Sequence, residues 1–220
     1  MKKNIIILLL CLISIFNSVS LAEAKIQSAV SANITIANDY VWRGKTQTND
    51  KKVVQIGLDY NVGNGAVLGI WSSNVLNGTE FDYYISYSGE VGDIDYEVGY
   101  IAYRYSEDAI VNRLNFDEVY IGGSYSDLGF TYYIGNGKKM LKVGNYVEAS
   151  YNNSINDIDV SLTVGRYFEA VTGDSNDYNV YGISLERSYK GLDLTLRFVK
   201  NNSHNIFNEK NTVFSISKSF

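Results

Sequence analysis

The residues of this sequence best placed to do chemistry are carboxylates, and they recur at alternate positions along it. Asp39, Asp59, Asp82, Asp95, Glu97, Glu118, Glu148, Asp159, Glu186 and Asp193 fall on one face of that alternation, with only Arg43 and Arg197 as bases among them. Acids in such numbers can exchange protons, hold cations or set up a field, and they are too frequent here for any pair to be diagnostic of acid–base catalysis. A Ser-His-acid arrangement is poorly supported, because the only histidine, His204, stands among Asn201, Asn202, Ser203 and Asn205 in an expected loop rather than on a strand. The single cysteine, Cys11, lies in an N-terminal apolar run. Once that run is removed, no thiol nucleophile, disulfide or cysteine-based metal site is available. The chain therefore reads as a non-enzyme with no catalytic, cofactor-binding or metal-binding residue.

The elements that carry these acids begin after a segment with a different purpose. Lys2 and Lys3, the apolar run Ile5 to Phe16 and the small-residue site Ala22-Glu23-Ala24 compose a secretory signal peptide, residues 1–24. At about a dozen residues the run is short of the roughly 20 a spanning helix needs. Losing Lys2, Lys3 and Glu23 takes the formal charge from −5 to −6, which disfavours nucleic acid as a partner.

From Val30 onward the period is two, the pattern of strands with one apolar and one polar face. Val30, Ala32, Ile34, Ile36, Tyr40 and Trp42 share one side of the first run, with Ser31, Asn33, Thr35, Asp39 and Arg43 opposite. Later runs repeat it, as in Val54, Ile56, Leu58 and Tyr60 or Phe81, Tyr83, Ile85 and Tyr87. The run Ala66 to Val75 is ambiguous in phase, so Trp71 faces either the interior or lipid. Twelve runs emerge, an even number, with ten or fourteen as alternatives. Nineteen tyrosines, nineteen glycines and no proline suit strands whose every backbone group must be paired.

Connections alternate in length. Gly63-Asn64-Gly65, Gly92-Asp93, Asp127 and Lys190-Gly191 are tight and Asn152 to Asp157 is fairly short, whereas Lys45 to Lys52, Ser106 to Asn115, Asn136 to Lys142, Glu169 to Asp177 and Asn201 to Glu209 fit external loops. This asymmetry predicts an all-β fold over residues 25–220, a transmembrane antiparallel up-and-down β-barrel with both termini periplasmic. A soluble sandwich or lipocalin-like barrel would also alternate. Against it stand an apolar face of Leu, Ile, Val and Tyr on nearly every strand, a polar face rich in Gly, Ser, Asp and Glu, and a chain ending in Phe220 at strand parity.

Asn38-Asp39-Tyr40-Val41-Trp42-Arg43-Gly44 followed by Gln47-Thr48 resembles the signature near the mature N-terminus of the TorF-type porin family. Gly57-Leu58-Asp59-Tyr60, Gly69-Ile70-Trp71-Ser72-Ser73-Asn74-Val75 and Tyr87-Ser88-Gly89-Glu90-Val91-Gly92-Asp93 extend the likeness over about residues 30 to 105. Trp42 stands where that family more often has Phe, and Lys45 where it has an aliphatic residue. The resemblance implies an outer-membrane porin-like barrel and supplies no transported molecule.

Twelve strands at roughly 4.8 Å spacing and 45° tilt give a backbone radius of about 13 Å and, inside the side chains, an opening on the order of 10 Å or less. Asp39, Arg43, Asp59, Asp82, Glu97, Glu118, Glu148, Glu186 and Arg197 are expected to line it, so small hydrophilic solutes or ions would diffuse through with a weak preference for cations. Asp39 and Arg43, roughly 13 Å apart along one strand, are each expected to pair with a neighbouring strand. Arg104, Arg166 and Lys200 lie at outward parity near the external end, within snorkelling reach of lipopolysaccharide phosphates. Tyr40, Trp42, Tyr60, Tyr87, Tyr100, Tyr151 and Phe220 are expected in the aromatic girdles, and Phe220 as the residue that engages the barrel-assembly machinery. The expected setting is the outer membrane of a Gram-negative bacterium, and the rival reading is a non-conducting structural or adhesive barrel whose loops bind a partner.

Overall fold

Alternation gives each strand two unlike faces, and a sheet of such strands lowers its free energy most by closing on itself, which leaves no unpaired edge. A computed structural model, describing residues 29–106, 115–136, 143–168, 177–203 and 209–220, has that form. The expected signal segment, residues 1–24, and His204 lie outside the described residues.

Fourteen strands are present among them: β1 Ala29–Ala37, β2 Val41–Trp42, β3 Lys45–Thr46, β4 Val53–Gly63, β5 Ala66–Val75, β6 Gly78–Val91, β7 Ile94–Tyr105, β8 Phe116–Tyr125, β9 Leu128–Asn136, β10 Asn145–Ile155, β11 Ile158–Phe168, β12 Tyr178–Tyr189, β13 Leu192–Asn201 and β14 Lys210–Ser219. Twelve of these form the closed barrel, each antiparallel to its neighbours in sequence, and β1 meets β14 to close it. The seam runs from Asn33 opposite Ser219 to Ala37 opposite Ser215 and is extended by Phe220, whose N–H donates to the Ala32 carbonyl at 2.9 Å. The two remaining strands, β2 and β3, pair only with each other.

The twelve-stranded barrel agrees with the count read from the sequence. Two-residue turns join β4 to β5, β6 to β7, β8 to β9, β10 to β11 and β12 to β13 at one end. Asn64-Gly65 and Lys190-Gly191 take left-handed φ at both positions, 54° and 86°, then 52° and 76°, the pattern whose twist suits a hairpin. At the other end Leu76-Asn77 joins β5 to β6, while the expected external loops Ser106 to Asn115, Asn136 to Lys142, Glu169 to Asp177 and Asn201 to Glu209 lie largely outside the described residues.

The outer surface is apolar from strand to strand. Ile34, Ile56, Leu58, Ile85, Leu162 and Phe198 all point outward and are exposed. Each side chain of this size gains about 1.5–3 kcal/mol on leaving water, so the belt calls for a lipid covering. The buried core lies inside the ring and consists largely of tyrosines, among them Tyr84, Tyr103, Tyr120, Tyr133, Tyr146 and Tyr178.

The doubtful third strand is settled by packing. Leu68 faces out at 44% exposure and Trp71 faces in at 2%. Between them Gly69 must lack a side chain, because a Cβ there would stand 2.0 Å from the Tyr84 ring laid across it.

Candidate functional site

The chain leaves the barrel wall at Asn38. Its side chain stands in for a further strand residue: Asn38 Nδ2 donates to the Thr212 carbonyl at 2.9 Å, and Oδ1 accepts from the Phe214 N–H at 2.7 Å. Satisfied in this way, the edge of β14 no longer needs β1 to continue, and the next residues turn inward. Asp39 Oδ1 accepts the hydroxyls of Thr46 and Thr48, and the Gln47 N–H donates to the Tyr40 carbonyl at 2.7 Å. Arg43 and Gly44, both with left-handed φ of 46° and 78°, form the tip of the β2–β3 hairpin.

This geometry overturns four expectations. Tyr40 and Trp42 do not continue the lipid-facing side of the first strand and belong to no girdle. Lys45 to Lys52 is in part an inward hairpin rather than an external loop. Asp39 caps that hairpin from within instead of pairing with a neighbouring strand. Arg43 does form an ion pair, but across the barrel. In each case the cause is the same: strand parity stops at Ala37.

Arg43 crosses to the far wall. It is 1% exposed, and its Nη1 and Nη2 donate to Glu118 Oε1 and Oε2 on β8 at 2.7 and 2.8 Å. Tyr103 adds a third bond to Glu118 at 3.0 Å. The guanidinium lies 4.3 Å from the Trp42 ring centre, 4.8 Å from that of Tyr133 on β9 and 4.6 Å from that of Tyr146 on β10. In the ring order β9 and β10 stand midway round from β1 and β4, so the hairpin bridges the lumen. The six residue-to-residue steps from Ala37 to Arg43 can extend about 20 Å, enough for the crossing. A buried ion pair offsets its desolvation only when its geometry is good and its remaining polar atoms are satisfied. This bidentate pair meets that condition, and the three rings add cation–π attraction.

The flanks of the hairpin are seated too. Trp42 packs against Tyr103 and Phe116 at ring separations of 6.3 and 6.0 Å, while Lys45 lies 4.4 Å from the Tyr178 ring centre. Asn201 Nδ2 donates to the Gly44 carbonyl at 2.7 Å, and the Thr46 N–H to Glu209 Oε2 at 2.8 Å.

The inner wall couples acids to hydroxyls. Asp59 accepts from Tyr84, Glu97 from Tyr120, Glu148 from Tyr146 at 2.9 Å and Glu186 from Thr195 at 3.0 Å. Asp82, Glu118 and Glu148 are buried at the height of the hairpin, whereas Asp59, Glu97, Glu186 and Arg197, nearer the short-turn end, remain partly exposed. Asp193 and Asp159 accept serine hydroxyls of Ser188 and Ser154 close to the turns.

At the other rim Arg104 pairs with Asp117 at 2.7 Å and Arg166 with Asp177 at 3.3 Å. Lys200 is exposed and stands directly opposite Lys210 in the β13–β14 register. Among the described residues no three or more His, Cys, Asp or Glu side chains converge as a metal site.

Sequence reasoning did not anticipate the crossing hairpin or the internal tyrosine layer. Val41-Trp42-Arg43-Gly44-Lys45-Thr46 carries one signal that could have revealed the first: an X-Gly pair between strand formers, which reads as a two-residue turn.

Solved porin structures share this fold. The KdgM porin superposes with a TM-score of 0.60 at 11% identity, over 86% of this chain and 98% of that one. The KdgM porin in complex with disordered oligogalacturonate gives 0.58 at 10% identity, over 87% and 97%. At such identity the likeness is one of fold. No curated protein matches the chain by sequence. Residues 21–220 match the family described as "Bacterial protein of unknown function (Gcw_chp)", and the chain belongs to that family.

Proposed function

We propose that this protein is an outer-membrane porin-like channel for passive diffusion of small hydrophilic solutes or ions, exported under the signal peptide 1–24. The observation that carries the reading is the closed barrel with an apolar outer belt and an inner wall of carboxylates and tyrosines. An interior with Asp59, Glu97 and Glu186 partly exposed favours cations and repels anions. Such a wall suits a polyuronate of the kind bound by the KdgM porin poorly. The motif likeness to the TorF-type porins agrees with the same assignment, and the β2–β3 hairpin is the natural constriction.

The rim residues fit the same setting. Arg104 and Arg166 are already engaged by Asp117 and Asp177, so the Lys200–Lys210 pair is the stronger candidate for lipopolysaccharide phosphates, since like charges facing each other across strands repel until an anion joins them. Phe220 is the element offered to the barrel-assembly machinery.

Purified protein in planar bilayers under a salt gradient tests the function. Cation-selective reversal potentials are expected, shifting toward zero in Asp59→Asn/Glu97→Gln. Anion preference would refute the selectivity. No conductance at all would favour a non-conducting barrel whose hairpin closes the lumen and whose external loops bind a partner.

A further inference from the structure

Cations on the outer wall differ in their partners at the rim opposite the two-residue turns. Arg104 pairs with Asp117 and Arg166 with Asp177, whereas Lys200 and Lys210 face each other across β13 and β14 with no carboxylate in contact among the described residues. Directly opposed residues have Cβ atoms about 4.5–5.5 Å apart, so the two ammonium groups can close on a single anion.

Beside this pair the outer face of β12, β13 and β14 holds a shallow groove of about 420 Å³, a volume in the range that takes small ligands. The strand register arranges it in two rows. Tyr181, Lys200 and Lys210 stand side by side across the three strands, and Ile183, Phe198 and Thr212 make up the next row, two residues or about 7 Å nearer the middle of the barrel. All six are exposed. The rim row offers two ammonium groups and a phenol, while the row beneath it is largely apolar. On its β14 side the groove is open, because β1 ends at Ala37 opposite Ser215 and the chain then turns into the lumen. Lys210 to Thr212 are left with β13 as their one strand partner among the described residues.

The two rows call for a ligand with an anionic head and an apolar tail within about 7 Å of each other. Acyl chains cover any lipid-facing groove, so the head decides which lipid fits. A phosphomonoester carries close to two negative charges at neutral pH and balances two lysines, whereas the phosphodiester of phosphatidylglycerol carries one. Lysine binds phosphate as a point charge and needs no bidentate geometry. A glycolipid whose sugar bears phosphomonoesters directly above its acyl chains therefore meets both rows.

We propose that Tyr181, Lys200 and Lys210, with Ile183, Phe198 and Thr212 beneath them, form a head-and-tail site for one phosphorylated glycolipid, the lipid A part of lipopolysaccharide. A phosphomonoester sits between the two lysines, and an acyl chain lies in the groove. The site rests on the outer-membrane reading above, and it does not depend on whether the barrel conducts.

Native mass spectrometry of the full chain folded in uncharged detergent reads the bound lipid directly. The parent is expected to retain one lipid A, to hold phosphatidylglycerol about fivefold less well at equal concentration, and to keep its lipid A against the same concentration of inorganic phosphate. Lys200→Gln/Lys210→Gln should weaken lipid A retention roughly thirtyfold, since each lysine at a lipid surface is worth about fivefold. Thr212→Trp fills the groove and leaves both charges, and should weaken retention on the order of tenfold. Lys218→Gln, at the short-turn rim, should behave as the parent. Replacing two facing lysines by amides relieves repulsion, so the double variant is expected to keep its β-sheet circular dichroism. Parent-like lipid A retention in the folded double variant would overturn the proposal, as would equal retention of phosphatidylglycerol or no lipid A on the folded parent. Recovery of the expressed chain outside the outer membrane on density-gradient fractionation would instead remove the outer-membrane reading and the proposal together.

Discussion

Replacing Arg43 by Gln should release the hairpin from the far wall. The substitution removes both charge-assisted bonds to Glu118 and leaves that carboxylate, 0% exposed, with Tyr103 as its hydrogen-bonding partner. Breaking one side of a buried ion pair costs about 3–5 kcal/mol. Other polar anchors of the hairpin include Asn201 to the Gly44 carbonyl, Thr46 to Glu209 and the Leu76 N–H to the Gln47 carbonyl. At about 0.5–1.5 kcal/mol net apiece, their sum is of the same size as the loss. A change of about 4 kcal/mol alters the ratio of docked to released hairpin roughly a thousandfold, so a segment held almost permanently in the parent becomes one that exchanges. Single-channel recording should show larger or flickering conductance levels in Arg43→Gln, with Glu118→Gln acting in the same direction. Arg43→Lys should give an intermediate result, since it keeps the charge but loses the bidentate geometry. Arg43→Gln traces that overlay the parent in level and open probability, from protein with unchanged circular dichroism, would refute the assignment of the pair as the latch.

Gly44→Ala places a Cβ 3.0 Å from Asn201 Cβ at a φ of 78°, a conformation costing an L-residue about 1–2 kcal/mol, and so should loosen the tip in the same sense as Arg43→Gln but less, as read by the same recordings. Leu162→Arg puts a charge on the outer face near the middle of β11, where the cost is about 2–4 kcal/mol, and urea titration of protein folded into lipid vesicles should detect it. If that variant unfolds at the parent's midpoint, Leu162 does not face lipid.

Much of the barrel could be read from local pattern alone. Ile34 and Ile36 in β1, Val54 and Ile56 in β4 and Tyr83 and Ile85 in β6 point outward as their parity demands. Turn residues with left-handed φ, such as Asn64-Gly65, mark where the chain reverses. The run Ala66 to Val75 was not legible in the same way, because both phases offer apolar residues. There the decision came from Tyr84 needing the space above Gly69.

By itself the sequence determined a period-two chain with tight turns on one side, an apolar outer face and an acidic inner one, because strand geometry turns alternation into sidedness without reference to any distant residue. Only the tertiary structure decided that the chain stops being wall at Asn38 and crosses the lumen. Asp39, Val41 and Arg43 alternate equally well in a continuing strand and in a short hairpin. The difference lies in partners remote in sequence: Thr212 and Phe214, which accept the Asn38 side chain as a substitute for pairing, and Glu118, which meets Arg43 only once the barrel has closed.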